Sequence, residues 1–185
     1  IDYDTITGQV LKKNTHQGLS HESAWSRGQA WALYGYTMCY RETRLPEFLE
    51  QARNIEKYIF SHPNMPEDLI PYWDFDAPGI PNEPRDVSAA AVAASALYEL
   101  STSVVAPAGT GYLKAADQMI ESISANYQSV PGANKGFILD HSTGSKLQNS
   151  EVDVPLIYAD YYYLEALIRK EKIKNPEMKY IRSSE

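Results

Sequence analysis

The links between helices constrain this chain most, because they alternate between short and long. Helical periodicity runs over about 24–43, 48–61, 86–101, 111–127 and 154–172 of the 185 residues. In the first stretch Trp31, Tyr34, Met38 and Arg41 recur at three-to-four spacing, and Leu45-Pro46 marks its end. Leu49, Ala52, Ile55 and Ile59 form the stripe of the second. Asp86 is a good N-cap for the third, whose alanines 89–91, 93, 94 and 96 favour helix and close packing on more than one side. The fourth has the cleanest apolar stripe: Tyr112, Ala116, Met119, Ile120, Ile123 and Tyr127. The fifth has Asp153 as a candidate cap, Pro155 in its first turn and basic residues in its last. Links after the first and third helices are short, whereas 2–23, 62–85 and 131–153, which precede the odd-numbered helices, are long.

Helices joined by short links run antiparallel. The first, third and fifth helices therefore point the same way, and the three long loops gather at one end. The expected fold is all-α, a helical-hairpin toroid forming one domain over 1–185. A small β-hairpin is expected within 136–146, turning through Thr143-Gly144.

The composition fits a globular domain with a real core: 43% hydrophobic and 22% charged residues. A net charge of −7 argues against nucleic acid or an anionic membrane as partner, and an anionic ligand would need locally placed arginine or lysine. No apolar run reaches membrane-spanning length, and no basic stretch precedes an apolar one as in a signal peptide. The single cysteine, Cys39, reads as a packed thiol. His16, His21 and His141 match no ligand spacing, so no metal site is expected. The sequence also lacks a P-loop, a dinucleotide fingerprint and a nucleophile elbow, and no cofactor is expected.

The densest chemistry lies in His16–Trp31, which holds two histidines, two tryptophans, two glutamines and Arg27. Aromatic faces can cover the C–H face of a sugar ring while polar neighbours satisfy its hydroxyls or carboxylate. The plainer alternative is a buried tryptophan pair on an amphipathic helix with a surface arginine. Residues 66–85 form a long, proline-stiffened loop carrying Tyr72, Trp73 and Phe75 beside Asp74 and Asp76. It suits a cleft wall or an aromatic-anchored cap over the toroid equally well. Asp74 with Asp76, or Glu151 with Asp153, could pair for glycoside chemistry, but capping and solvated roles suit them better.

Three segments, THQGLSHESAWSRGQAWALYGYTMCYRET, HPNMPEDLIPYWDFDAPGIPNEPRDVSAAAVAASALYELS and NSEVDVPLIYADYYYLEAL, together resemble the unsaturated glucuronyl hydrolases, glycoside hydrolase family 88. The resemblance implies part of an (α/α)6 barrel and covers the C-terminal half of a family member. It implies removal of a 4,5-unsaturated uronic acid from lyase-generated glycosaminoglycan oligosaccharides by hydration of its vinyl ether. The family's two important aspartates, the general acid among them, belong to the half without a counterpart here, so the chain alone is expected to be inactive. By the same resemblance Gln17 helps to hold the catalytic water, and His16, Trp25, Arg27, Trp31 and Tyr158 bind substrate. A bacterial cytoplasmic or periplasmic setting is implied, with a homodimer or association with the other half. Two alternatives stand beside it: a relative of the unsaturated rhamnogalacturonyl hydrolases, and a non-catalytic helical domain that binds sugar or protein.

Overall fold

The computed structural model describes residues 1–177; the tail of the expected 1–185 domain lies outside them. Five α-helices dominate: α1 (Ser26–Thr43), α2 (Pro46–Ser61), α3 (Val87–Ser101), α4 (Ala108–Asn126) and α5 (Ile157–Lys174). Two short antiparallel strands, β1 (Asp2–Tyr3) and β2 (Val10–Lys12), form an exposed N-terminal ribbon. α2 packs on α1 and α4 on α3, while α3 lies between α1 and α5. The layout is an inner row of α1, α3 and α5 with outer helices behind it, which is part of a toroid.

The alanines of α3 explain this arrangement. Every residue of α3 except Glu99 is buried. Small side chains let neighbouring backbones approach from several directions, and Asp86 caps the helix by accepting from the Ala89 amide. α3 is thin enough for side chains of α1 and α5 to meet across it. The Trp31 and Tyr162 rings stand edge-to-face at 5.0 Å. The Tyr34 hydroxyl donates to Glu165 Oε1 at 3.1 Å, a pair 131 residues apart. Arg27 lies over the Tyr158 ring at 5.4 Å, with the same separation in sequence. A constant offset is possible only if α1 and α5 run parallel, as the link lengths require.

Several local expectations change. Pro46 starts α2 instead of merely ending α1, because proline is well suited to a first helical turn. α1 buries Ala30, Leu33 and Thr37, whereas in the expected row Trp31 and Tyr34 face α5, Met38 is exposed, and Arg41 is exposed and reaches Glu99 of α3. Pro155 precedes α5, which begins at Ile157. Asp153 is no cap: it has positive φ and pairs with His141 Nδ1 at 2.7 Å. The hairpin pairs Ser142 with Val154 and Ser145 with Ser150, so it turns beyond Gly144. Gly144 is instead pressed against Glu151, whose Cβ would stand 2.7 Å from an added methyl. The 66–85 loop is the anchored cap, with Ile70, Tyr72, Trp73 and Phe75 all buried. Cys39 is half-buried on α1.

Ala94 of α3 is fully buried. Its replacement by leucine is expected to lower stability by about 1–3 kcal/mol through overpacking, measured by urea unfolding.

Candidate functional site

The three long loops converge above the N-terminal ends of α1, α3 and α5. Arg27, in the first turn of α1, joins them and is buried, with 3% of its surface exposed. Its Nη1 donates to Asp86 Oδ2 at 2.9 Å and to the Thr143 carbonyl at 2.5 Å. Nη2 donates to the Gly144 carbonyl at 2.5 Å. Gln17, from the first loop, donates its amide Nε2 to that same carbonyl at 2.9 Å. The Gly144 oxygen thus accepts two donors, the full use of its lone pairs.

Asp86 lies opposite Arg27 and is fully buried. Burial pushes its carboxyl pKa up, and Arg27 with the Ser88, Thr143 and Ala89 donors pulls it back. The second anchor is Asp74, also fully buried. It accepts from the Leu19 amide at 2.8 Å and the Ser23 hydroxyl at 2.9 Å, fastening the first loop to the cap. Asp76 accepts from the Ala24 amide at 2.8 Å. These two aspartates are therefore loop fasteners.

Aromatic rings flank the guanidinium. Trp25, half-buried just before α1, lies 4.9 Å from Arg27, and half-buried Tyr158 contributes from α5. Burial raises the Tyr158 pKa above its ordinary value against the pull of Arg27. Trp31, one turn below Arg27, packs on Tyr162.

The structure gathers Gln17, Trp25, Arg27 and Tyr158, and sets Trp31 one layer deeper. His16 is exposed on the first loop, and among the described residues no hydrogen bond or ring contact ties it to this cluster. Arg27 was expected to reach an anionic ligand, but both terminal nitrogens are turned inward onto the protein's own oxygens. Sequence reasoning missed the carbonyls of Thr143 and Gly144, because any residue type carries a backbone carbonyl. It also missed the pairing of Asp86 with Arg27, although the capping role of Asp86 was legible.

Two glycines on α1 separate packing from propensity. A Cβ at Gly28 would lie 2.7 Å from Trp25 Cε3, whereas nothing lies within 4 Å of one at Gly35. Gly35→Ala is expected to stabilise the chain by up to about 1 kcal/mol. Gly28→Ala is expected to displace the indole and destabilise, read by tryptophan fluorescence and thermal unfolding.

Arg27→Met is expected to cost about 3–5 kcal/mol at neutral pH by stranding a buried carboxylate. Its removal takes away the largest opposition to the upward push on Asp86, leaving only the Ser88, Thr143 and Ala89 donors. A raised folded pKa favours the native state below the unfolded value and loses that benefit as pH rises through the folded value. The deficit relative to the parent should therefore shrink on acidification, as Asp86 takes up a proton, in unfolding curves measured across pH. A deficit constant with pH would count against this account.

No protein-family profile matches the chain. It is 48% identical over 174 residues to an unsaturated glucuronyl hydrolase of Formosa agariphila, covering 94% of this chain and 43% of that one. An unsaturated chondroitin disaccharide hydrolase of Streptococcus pyogenes is 34% identical over 179 residues, 94% of this chain and 44% of the relative. Among solved structures, an unsaturated glucuronyl hydrolase specific for heparin superposes with TM-score 0.91 at 55% identity, over 94% of this chain and 47% of that one. The enzyme from Bacillus sp. GL1 superposes with TM-score 0.86 at 30% identity, over 92% and 45%. The chain spans less than half the length of the relatives it matches. In sequence and in fold, it is homologous to a little under half of an unsaturated glucuronyl hydrolase.

Proposed function

We propose that this chain carries the substrate-gripping and water-positioning side of an unsaturated glucuronyl hydrolase site, and that the general acid lies outside it. The substrate is a 4,5-unsaturated uronic acid at the non-reducing end of a glycosaminoglycan oligosaccharide. In the reaction the acid protonates C4 of the vinyl ether, water adds at C5, and the hemiketal opens to release the next sugar. Such chemistry needs an acid, a held water and a grip on the uronate.

The observation that carries this reading is the meeting of Gln17 and Arg27 on the Gly144 carbonyl, with the Trp25 and Tyr158 rings flanking the guanidinium, at one end of the helical row. With its amide nitrogen committed to Gly144, Gln17 has its amide oxygen as the end that would accept a hydrogen bond from a bound water. Trp25 and Tyr158 offer flat faces for the sugar, with Trp31 supporting from below and His16 at the loop edge. Arg27 serves the site by holding the 143–144 segment under Gln17. Relatives support the substrate class: one Streptococcus agalactiae structure contains dGlcA-GalNAc6S, and the 55% identical one is specific for heparin.

The test uses unsaturated disaccharides from heparin, chondroitin and pectin. The 185-residue chain alone is expected to quench its tryptophan fluorescence with the glycosaminoglycan-derived sugars and to leave their enol-ether absorbance unchanged. Gln17→Ala should weaken that binding by about 10-fold, the equivalent of roughly 1.4 kcal/mol. Turnover by the chain alone would locate the acid within these residues, and tighter binding of the pectin-derived sugar would favour the rhamnogalacturonyl reading.

A further inference from the structure

The hairpin that supplies Gly144 has two legs that are held very unequally. The outgoing leg, 141–144, is fastened to α1, α3 and the 66–85 loop. The His141 carbonyl accepts from the Val87 amide at 3.2 Å, the Thr143 hydroxyl donates to the Arg85 carbonyl at 2.9 Å, and Arg27 takes the Thr143 and Gly144 carbonyls. The returning leg, 149–154, has no such ties. Among the described residues its backbone bonds go only to the hairpin itself: the Ser150 amide to Ser145 at 3.0 Å, the Val154 amide to Ser142 at 2.9 Å, and the Glu151 carbonyl from Gly144 at 2.6 Å. That leg leads into α5, where Tyr158 is the second residue. The start of α5 has no side-chain cap, and Asp153, the aspartate that the sequence offers for one, has its carboxylate turned to His141.

Backbone strain is concentrated in the same hairpin. His141, Asn149, Glu151 and Asp153 have φ of 62°, 49°, 53° and 55°, half of the eight non-glycine residues with positive φ among those described. Left-handed backbone crowds Cβ against the following carbonyl, and histidine, asparagine and aspartate bear it more readily than most residues. A two-stranded hairpin is marginal in water by itself, and a strained one persists only where its surroundings over-determine it. The extra tie is the His141–Asp153 pair, Nδ1 to Oδ1 at 2.7 Å, which directly flanks the Ser142–Val154 bridge. An ionised carboxylate only accepts, so Nδ1 donates whether the ring is neutral or protonated. The Tyr127 ring stands edge-on to the imidazole at 6.0 Å. Apart from Ser145 with Gln148 inside the turn, this is the one side-chain hydrogen bond between residues of the hairpin among those described.

We propose that His141 and Asp153 are positioning residues of the sugar site: by tying the loose returning leg to the fastened outgoing one, they set the start of α5 and with it the placement of Tyr158. The functional half of this inference rests on the sugar-site reading, and the test separates the two. An unsaturated heparin disaccharide is titrated into the 185-residue chain, with tryptophan fluorescence as the signal. His141→Ala is expected to weaken binding by about 5-fold. His141→Asn should restore most of it, because asparagine Nδ2 takes the place of Nδ1 and the residue type tolerates positive φ. The decisive reading is a pair of double-mutant cycles. On a Tyr158→Leu background His141→Ala should cost less than about 2-fold, since the ring it places is gone. On a Gln17→Ala background it should keep its full cost, since Gln17 rests on the outgoing leg. Equal costs on the two backgrounds, or no rescue by asparagine, would overturn the proposal. Hydrogen exchange without sugar reads the tie itself: the Ser142 and Val154 amides should exchange faster in His141→Ala and return toward the parent in His141→Asn, with α3 unchanged. Unaltered exchange at both amides would overturn it too. A chain that shows these exchange changes and binds no unsaturated sugar would retain the tie and sink the sugar-site reading.

Discussion

The ion pair between Arg27 and Asp86 is the interaction on which the loop end of this molecule depends. Both partners are buried, and each serves a second element: Asp86 caps α3, and Arg27 holds the 143–144 segment. Separated, either would be an uncompensated charge in a low-dielectric interior, so the pair fixes the starts of α1 and α3 relative to each other. Because the guanidinium is planar with several donors, it can reach a carboxylate and two carbonyls at once; a lysine ammonium lacks that fork. Gln17 then needs only one hydrogen bond, to an oxygen already immobilised by Arg27.

Below this layer the fold is organised by thinness. α3 has alanine or serine at most positions and is buried around nearly its whole circumference. Bulk excluded from α3 reappears on its neighbours, where Trp31, Tyr34 and Tyr162 meet across it. Farther along the same row, Arg169 pairs with Glu99 of α3 at 2.7 Å, and Arg41 of α1 reaches Glu99 at 2.8 Å. Aromatic contacts near the site give way to charge pairs toward the helix C-termini, so the parallel register of the inner row is fixed at both ends.

Much of this was legible in the sequence for identifiable reasons. Helix existence followed from periodicity, and parallel inner helices followed from link lengths, both of which are local properties. The burial face of α1 was not legible, because Trp31, Tyr34 and Met38 satisfy helical spacing whether they face a core or a neighbouring inner helix. The role of Asp153 was misread because an aspartate before a helix resembles a cap until its partner, His141, is seen to be close. At the site, Gln17, Trp25 and Tyr158 were recognisable by side-chain chemistry. The anchor that Gln17 shares with Arg27 was not, since it is the backbone oxygen of a glycine, and the inward turn of Arg27 depends on loops more than a hundred residues away.

The two halves of the proposed site differ in what they need. The Gln17–Arg27–Gly144 cluster is tied together by direct hydrogen bonds among three loops. Tyr158 is different. It belongs to α5, whose inner side is held by α3 and whose start has no side-chain cap. The leg that leads to it is tied across the hairpin by one half-exposed pair, His141 with Asp153. With a polar anchor preorganised on one side and an aromatic wall held more lightly on the other, the ordering that opposes sugar binding falls mainly on the start of α5. Whatever restrains that start would tighten binding even without a new contact, since less ordering would remain to oppose it.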